Sequence, residues 1–418
     1  MNATDSSISI ALRHIKTALI FLPAFFLLML LDYKSFGLYF FMNTKIIALT
    51  HILTLGFLMM VILGASYMLL PVAIGVKISF ERMFFPVYYV YTAALLIFAA
   101  GMHYYIPRLI AAGGFFLFLS LAAYCVNILS SIKKVKKWDY SALGILFSYI
   151  YLVLGLAVGF YLALSFYFPV ISFNIQGILI SHVYLMFAGF IIMLFLAISY
   201  RLLPMFYMTK TPHPLVWKTD LIAINSGVIL ALLSSFFENG AGNALGLAGE
   251  ILLIGGILLY CAEFFYLIDK RIKKKLDVTL FYVSTGVAFL GFLGLFGLFL
   301  LFLPEGAAAV NYGLYYALGF TGLFCFAGFV IIGFLHKIFP FLISLKMFEK
   351  AKKGAYGKLF SGKTLQYLEY VIFFLFLPGI VSGIISFTLL SMPLIIISAS
   401  IMLVASALFS ARIFLMEF

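Results

Sequence analysis

Residues 64–71 read GASYMLLP, and the chain returns to the same pattern twice, as AISYRLLP at 197–204 and as GFLHKIFP at 333–340. In each copy a small residue (Gly64, Ala197, Gly333) stands seven positions before the closing proline. An aromatic hydrogen-bonding residue (Tyr67, Tyr200, His336) stands four before it. Pro71, Pro204 and Pro340 are spaced by roughly a third of the 418 residues, the mark of an internal repeat. Each copy closes a long apolar run, with four such runs to a repeat. The chain therefore reads as one transmembrane domain, 1–418, an all-α polytopic bundle of twelve spans in three four-helix units (about 1–138, 139–275 and 276–418) around a pseudo-threefold axis. The small residue permits close approach of a neighbouring helix, and a tyrosine or histidine in lipid needs a partner, so both fit a contact between helices. The prolines are read as structural, marking a kink or an end.

Composition leads to the same class. The residues are 65% hydrophobic and 10% charged, with a mean hydropathy of +1.19, against about 45–50% apolar and about 25% charged in an ordinary soluble domain. A soluble enzyme is excluded, and the lipid bilayer is the first partner. The formal charge of +13, from 27 Lys and Arg against 14 Asp and Glu, is scattered through short loops. That is the distribution of orientation signals rather than of a nucleic-acid surface. Cys125, Cys261 and Cys325 lie in separate apolar runs with no Cys-x-x-Cys pair, so no disulfide framework or zinc ribbon follows.

Spans are expected at 17–35, 46–71, 84–106, 109–132, 141–168, 173–204, 220–237, 246–269, 278–303, 312–342, 366–386 and 390–416. The first is read as a span and not as a cleaved signal, because no small-residue cleavage site follows it. Basic residues cluster after the second span (Lys77, Arg82), the fourth (Lys133, Lys134, Lys136, Lys137), the sixth (Lys210, Lys218), the eighth (Lys270, Arg271, Lys273, Lys274, Lys275) and the tenth (Lys346, Lys350, Lys352, Lys353). The positive-inside rule then places these loops and both termini in the cytoplasm, in a cytoplasmic (inner) membrane.

Depth sorts the six histidines. His14 and His213 are expected outside the spans on the cytoplasmic side. His51, His182 and His103 fall toward the outer leaflet, on the second, sixth and third spans, where they can converge. His336 is deeper by roughly 24 Å at 1.5 Å per residue. Neutral imidazole is an axial ligand of haem iron and a common copper or zinc ligand, so His51 and His182 are the candidate cofactor and metal ligands, with His103 as a spare. A headgroup-level hydrogen bond is the alternative for each taken singly. In the proline register His51 is matched by Tyr184 and Phe320. Glu263, inside GGILLYCAEFFYLID, is read either as a proton- or cation-handling carboxylate or as the partner of a loop base. Arg201 and Lys337 follow Tyr200 and His336 directly; they read as orientation signals, with an anionic group such as a haem propionate or lipid phosphate as the alternative. There is no Walker loop, dinucleotide fingerprint, Cys-x-x-Cys-His or metalloprotease motif.

Twelve helices, three equivalent units and outer histidines on the second and sixth resemble the catalytic subunit of the haem-copper oxidase superfamily. The segments THILTLGFLMMVILGASYMLLPV (50–72), SHVYLMFAGFIIMLFLAISYRLLPMF (181–206) and GFVIIGFLHKIFPFL (328–342) are similar to oxidase-subunit-I-like proteins grouped with the membrane haem proteins of the nitric-oxide response. That resemblance implies an axial haem ligand at His51 and maps the position of a copper ligand onto or near His182. The pattern then departs. The superfamily's seventh helix carries a His-His pair, whereas 220–237 has no histidine; its tenth carries His-x-His, whereas 312–342 has only His336. No oxygen-reducing copper centre is expected. The expectation is a haem protein, with a b-type haem and a redox partner protein, serving electron transfer or the sensing of a diatomic gas such as nitric oxide. The rival is a cofactor-free transporter or membrane scaffold, which interrupted helices would favour.

Overall fold

The computed structural model describes residues 3–38, 43–168, 174–237, 240–272, 277–302, 312–351 and 363–417, and among them there is no strand. Twelve helices are long and apolar enough to cross a membrane: α1 (Ser6–Leu31), α2 (Thr44–Ile74), α3 (Glu81–His103), α4 (Pro107–Ile132), α5 (Tyr140–Ser165), α6 (Ile175–Tyr207), α7 (Pro214–Ser234), α8 (Gly240–Asp269), α9 (Val278–Leu300), α10 (Tyr312–Phe348), α11 (Tyr367–Leu389) and α12 (Met392–Phe414). The protein is a multi-pass, all-helical membrane protein. Lys273, Lys274, Lys275, Lys352 and Lys353 of the basic clusters lie outside the described residues.

Helix ends follow ordinary capping chemistry. Asp139 and Asp277 accept the backbone N–H of Ala142 and Leu280 and so start α5 and α9. Proline opens α4, α7 and α12, where its missing N–H costs no helical bond. Between α3 and α4 the chain turns in three residues, with Tyr105 at φ 52°.

Two expectations are corrected. The first helix begins well before residue 17, so His14 is not outside the spans; it sits within α1 with no exposed surface. The polar residues before residue 17 hid that start. The repeated prolines do not end their helices either. Pro71, Pro204 and Pro340 are all interior, and α10 runs on to Phe348. Each strips the hydrogen-bond donor from the carbonyl four residues back, which belongs to Tyr67, Tyr200 and His336.

Packing follows the repeat. α1 lies on α2, α5 on α6 and α9 on α10; α3 pairs with α4, α7 with α8 and α11 with α12. Three further seams join α4 to α5, α8 to α9 and α12 to α1, the last tied by Ser410 Oγ donating to the Leu19 carbonyl at 2.7 Å. The repeated small residue is in each case where two helices touch. A Cβ on Gly64 would stand 2.9 Å from the Ala11 carbonyl, Ala197 Cβ lies against Gly144, and a Cβ on Gly333 would stand 2.8 Å from Tyr282 Cβ. Ser141 Oγ donates to the Ala197 carbonyl at the same contact.

Three spans contain a π-helical stretch: Ile52–Met59 in α2, Tyr184–Ile192 in α6 and Thr321–Gly328 in α10. Met59, Ile192 and Gly328 each stand twelve residues before the repeated proline. A π turn inserts one residue per hydrogen-bonded ring and re-aims the side chains that precede it. Tyr91 donates to the Leu55 carbonyl at 2.8 Å within the first of them. α2 and α10 are the inner rods, with 72% of their most apolar stretch buried against 44% or less in the other ten. α6 is divided: no residue of Ile175–Val183 is buried, whereas it joins the interior from Leu185 onward.

Candidate functional site

His51 is the last residue before the π stretch of α2, and His182 lies two residues before that of α6. Each is seven residues from the start of its span, about 10 Å along the axis. Both rings engage one nitrogen in the same manner. His51 Nδ1 is 2.8 Å from the Ile47 carbonyl, and His182 Nδ1 is 2.9 Å from the Gly155 carbonyl of α5. A carbonyl only accepts, so Nδ1 carries the proton and the neutral ring presents its lone pair at Nε2. This is the arrangement that orients a metal-ligating histidine. The two imidazoles lie within electrostatic reach of one another. His51 is edge-on to Phe98 at 5.1 Å between centroids. His182 rests on Gly159, where an added Cβ would come within 2.7 Å of its Cε1. Glycine is needed there because the ring occupies the space of a side chain.

His103 ends α3 at the same side of the molecule. Its Nδ1 is 3.3 Å from Asp32, whose other oxygen accepts from Lys45 Nζ at 3.0 Å. His103 thus meets Asp32, whereas His51 and His182 stand on different helices, each with Nδ1 on a backbone carbonyl. Tyr184, the repeat partner of His51, reaches across to Glu250 on α8 at 3.4 Å. Glu250 also lines a groove of about 410 Å³ with Ser234, Phe237, Gly242, Asn243, Gly246 and Leu247.

The proline end of the bundle holds the other polar groups, about 24 Å away along α2. Tyr67 packs on Phe84 and Tyr124, its hydroxyl buried without a partner, beside a chain in which Tyr149 bonds Ser66 at 3.0 Å and Tyr124 at 2.9 Å. Tyr200 donates to the carboxyl of Asp220, and Ser199 bonds Tyr260 at 2.9 Å. His336 stacks on Tyr282 at 5.2 Å, near a buried ion pair of Arg412 with Glu369 at 2.9 Å. Arg201 and Lys337 pair with Asp139 at 3.3 Å and Asp277 at 3.1 Å, the N-cap residues of α5 and α9. Glu263 accepts from the backbone N–H of His213 at 3.3 Å.

Sequence reasoning missed Asp220 and Glu250. Asp220 stood at the first residue of its expected span and so read as a boundary. The signal that placed it inside was Pro214, a residue fitted to the first turn of a helix, preceded by His213 as cap. Among the described residues no three His, Cys, Asp or Glu side chains are grouped to hold a metal ion. A porphyrin supplies four of its iron's ligands, so a haem asks a protein for at most two side-chain ligands. No residue of Ile175–Val183, the stretch that carries His182, is buried. No protein-family model and no curated protein matches this chain, so its own residues carry the functional reading.

Proposed function

We propose that this chain is a haem-binding integral membrane protein with an oxidase-subunit-I-like fold and no oxygen-reducing copper centre, serving electron transfer or the sensing of a diatomic gas such as nitric oxide. In this reading the three four-helix units surround a pseudo-threefold axis. The recurring π stretches, the recurring small-residue contacts and the three seams between units, α12 on α1 included, all support that arrangement. The basic loops and both termini face the cytoplasm, which puts the histidine end in the outer leaflet of the cytoplasmic membrane.

The observation that carries the proposal is the pair His51 and His182, on different helices, each with Nδ1 on a backbone carbonyl and each within electrostatic reach of the other. His51 and His182 would hold the haem between them, and the bound group would supply one-electron transfer or diatomic-gas binding. The chain's part is to orient the rings. The Ile47 and Gly155 carbonyls fix the tautomer, Gly159 seats His182, and Phe98 walls His51. The helices run unbroken through their π stretches, whereas a transporter site of the broken-helix kind uses unwound backbone.

Reduced-minus-oxidised absorption spectra of protein purified with haem available test the proposal. Soret and α bands are expected in the wild type and are expected to be lost or displaced in His51→Ala and His182→Ala. A wild type without bands sinks the haem reading and moves the protein to the cofactor-free transporter or scaffold class.

A further inference from the structure

Asp220 has no exposed surface and lies nearly two turns inside α7. One carboxyl oxygen accepts the Tyr200 hydroxyl; the other, Oδ1, is buried and has no hydrogen-bond partner among the described residues. Trp217 stands one turn earlier on the same helix face. Its indole is 5.4 Å from the Tyr200 ring, and its Nε1–H is likewise buried without an acceptor among the described residues. An unmatched acceptor and an unmatched donor thus lie beside one tyrosine, and buried groups of this kind are commonly met by water.

The surroundings are acidic and phenolic. From α6 comes Tyr200; the base that follows it, Arg201, is held by Asp139 and the Ala73 carbonyl. From α8 come Tyr260, Cys261 and Glu263, all within electrostatic reach. From α5, Tyr140 packs against Trp217 at 5.7 Å. Glu263 is half-buried and tied to the chain at His213, the exposed cap of α7, so it connects the interior to the surface. Carboxyls inside a membrane without a basic partner are the usual stations of proton relays.

We propose that Asp220, with Tyr200 and Trp217, forms a proton-exchange site within the bundle, loaded from the basic-loop face by way of Glu263. In loading, an O–H bond forms at Asp220 Oδ1 as one breaks on a water molecule entering the site, and that water regains its proton from the Glu263 carboxyl; no electron moves. The site lies at the end of α6 opposite His182 and does not depend on the haem reading.

Infrared difference spectra of the full chain in lipid nanodiscs, taken across a pH titration in H2O and D2O, read the site directly. A protonated-carboxyl C=O band is expected that disappears in Asp220→Asn, moves in Tyr200→Phe through loss of the donated hydrogen bond, and shifts in D2O at least tenfold more slowly in Glu263→Gln. A band set unchanged in Asp220→Asn overturns the site. Should Asp220→Asn fail to fold, Tyr200→Phe decides, since it keeps the carboxyl; an unmoved carbonyl band overturns the site. Unaltered exchange in Glu263→Gln overturns the entry route.

Discussion

Four histidines in the bundle place Nδ1 on a backbone carbonyl, yet they divide into two kinds. His14 and His336 are buried, and their Nε2 atoms face protein without a partner. His51 and His182 are only half-buried, and both stand at the mouth of a π stretch. That division was only partly legible in the sequence. Counting residues from the repeated prolines separated His336 from His51 and His182 by depth. It misplaced His14, because the polar residues before residue 17 read as a tail although they are helical. The dependence of His182 on α5 was invisible, since Gly155 and Gly159 look like any small residues of a membrane helix until the imidazole is seen lying across them. Gly159→Ala tests the contact. Its methyl group would displace the ring and loosen its bond to Gly155, and loss of an orienting partner of this kind costs roughly 10- to 100-fold in ligand affinity. Haem titration should show that loss while the circular-dichroism melting profile stays near wild type.

At the scale of helices, the small-residue position was the most readable feature and the π stretches the least. Gly64, Ala197 and Gly333 were expected to let helices meet closely, and they do so against α1, α5 and α9 respectively. The π stretches leave no trace in hydropathy, because runs such as ILTLGFLM and YLMFAGFII are apolar on every face. Their position became visible only as a backbone geometry repeated at one distance from each proline. Gly333 offers the sharper test, since a side chain there meets Tyr282 Cβ, Val283 and the Thr279 carbonyl at 3.0 Å or less. Gly333→Leu should destabilise the bundle by about 1–3 kcal/mol, the usual cost of overpacking. A lowered melting temperature in detergent checks it, and an unchanged one argues that α9 and α10 are not packed as described.

For the whole molecule, the number of spans and their order were legible because length and apolarity alone decide them. The closing of the bundle was not, since the contact of α12 with α1 joins residues as distant in sequence as Ser410 and Leu19. The orientation proposed from the basic loops can be measured. Cys125, Cys261 and Cys325 are buried, so a single new cysteine on the surface reports its own side. With both basic loops and termini inside, Tyr105→Cys in the α3–α4 turn should react with a membrane-impermeant maleimide added to intact cells. Lys134→Cys, beyond α4, should react only after lysis. The reverse labelling pattern inverts the topology and moves His51 and His182 to the cytoplasmic leaflet.

In the proposed function, His51 and His182 serve one bound group between two helices. Electron paramagnetic resonance of the oxidised, haem-loaded protein tests it most directly. A low-spin signal of bis-imidazole ligation is expected in the wild type, converted to high spin in His51→Ala and equally in His182→Ala. A wild-type signal that is already high-spin, or one that survives either substitution, contradicts it.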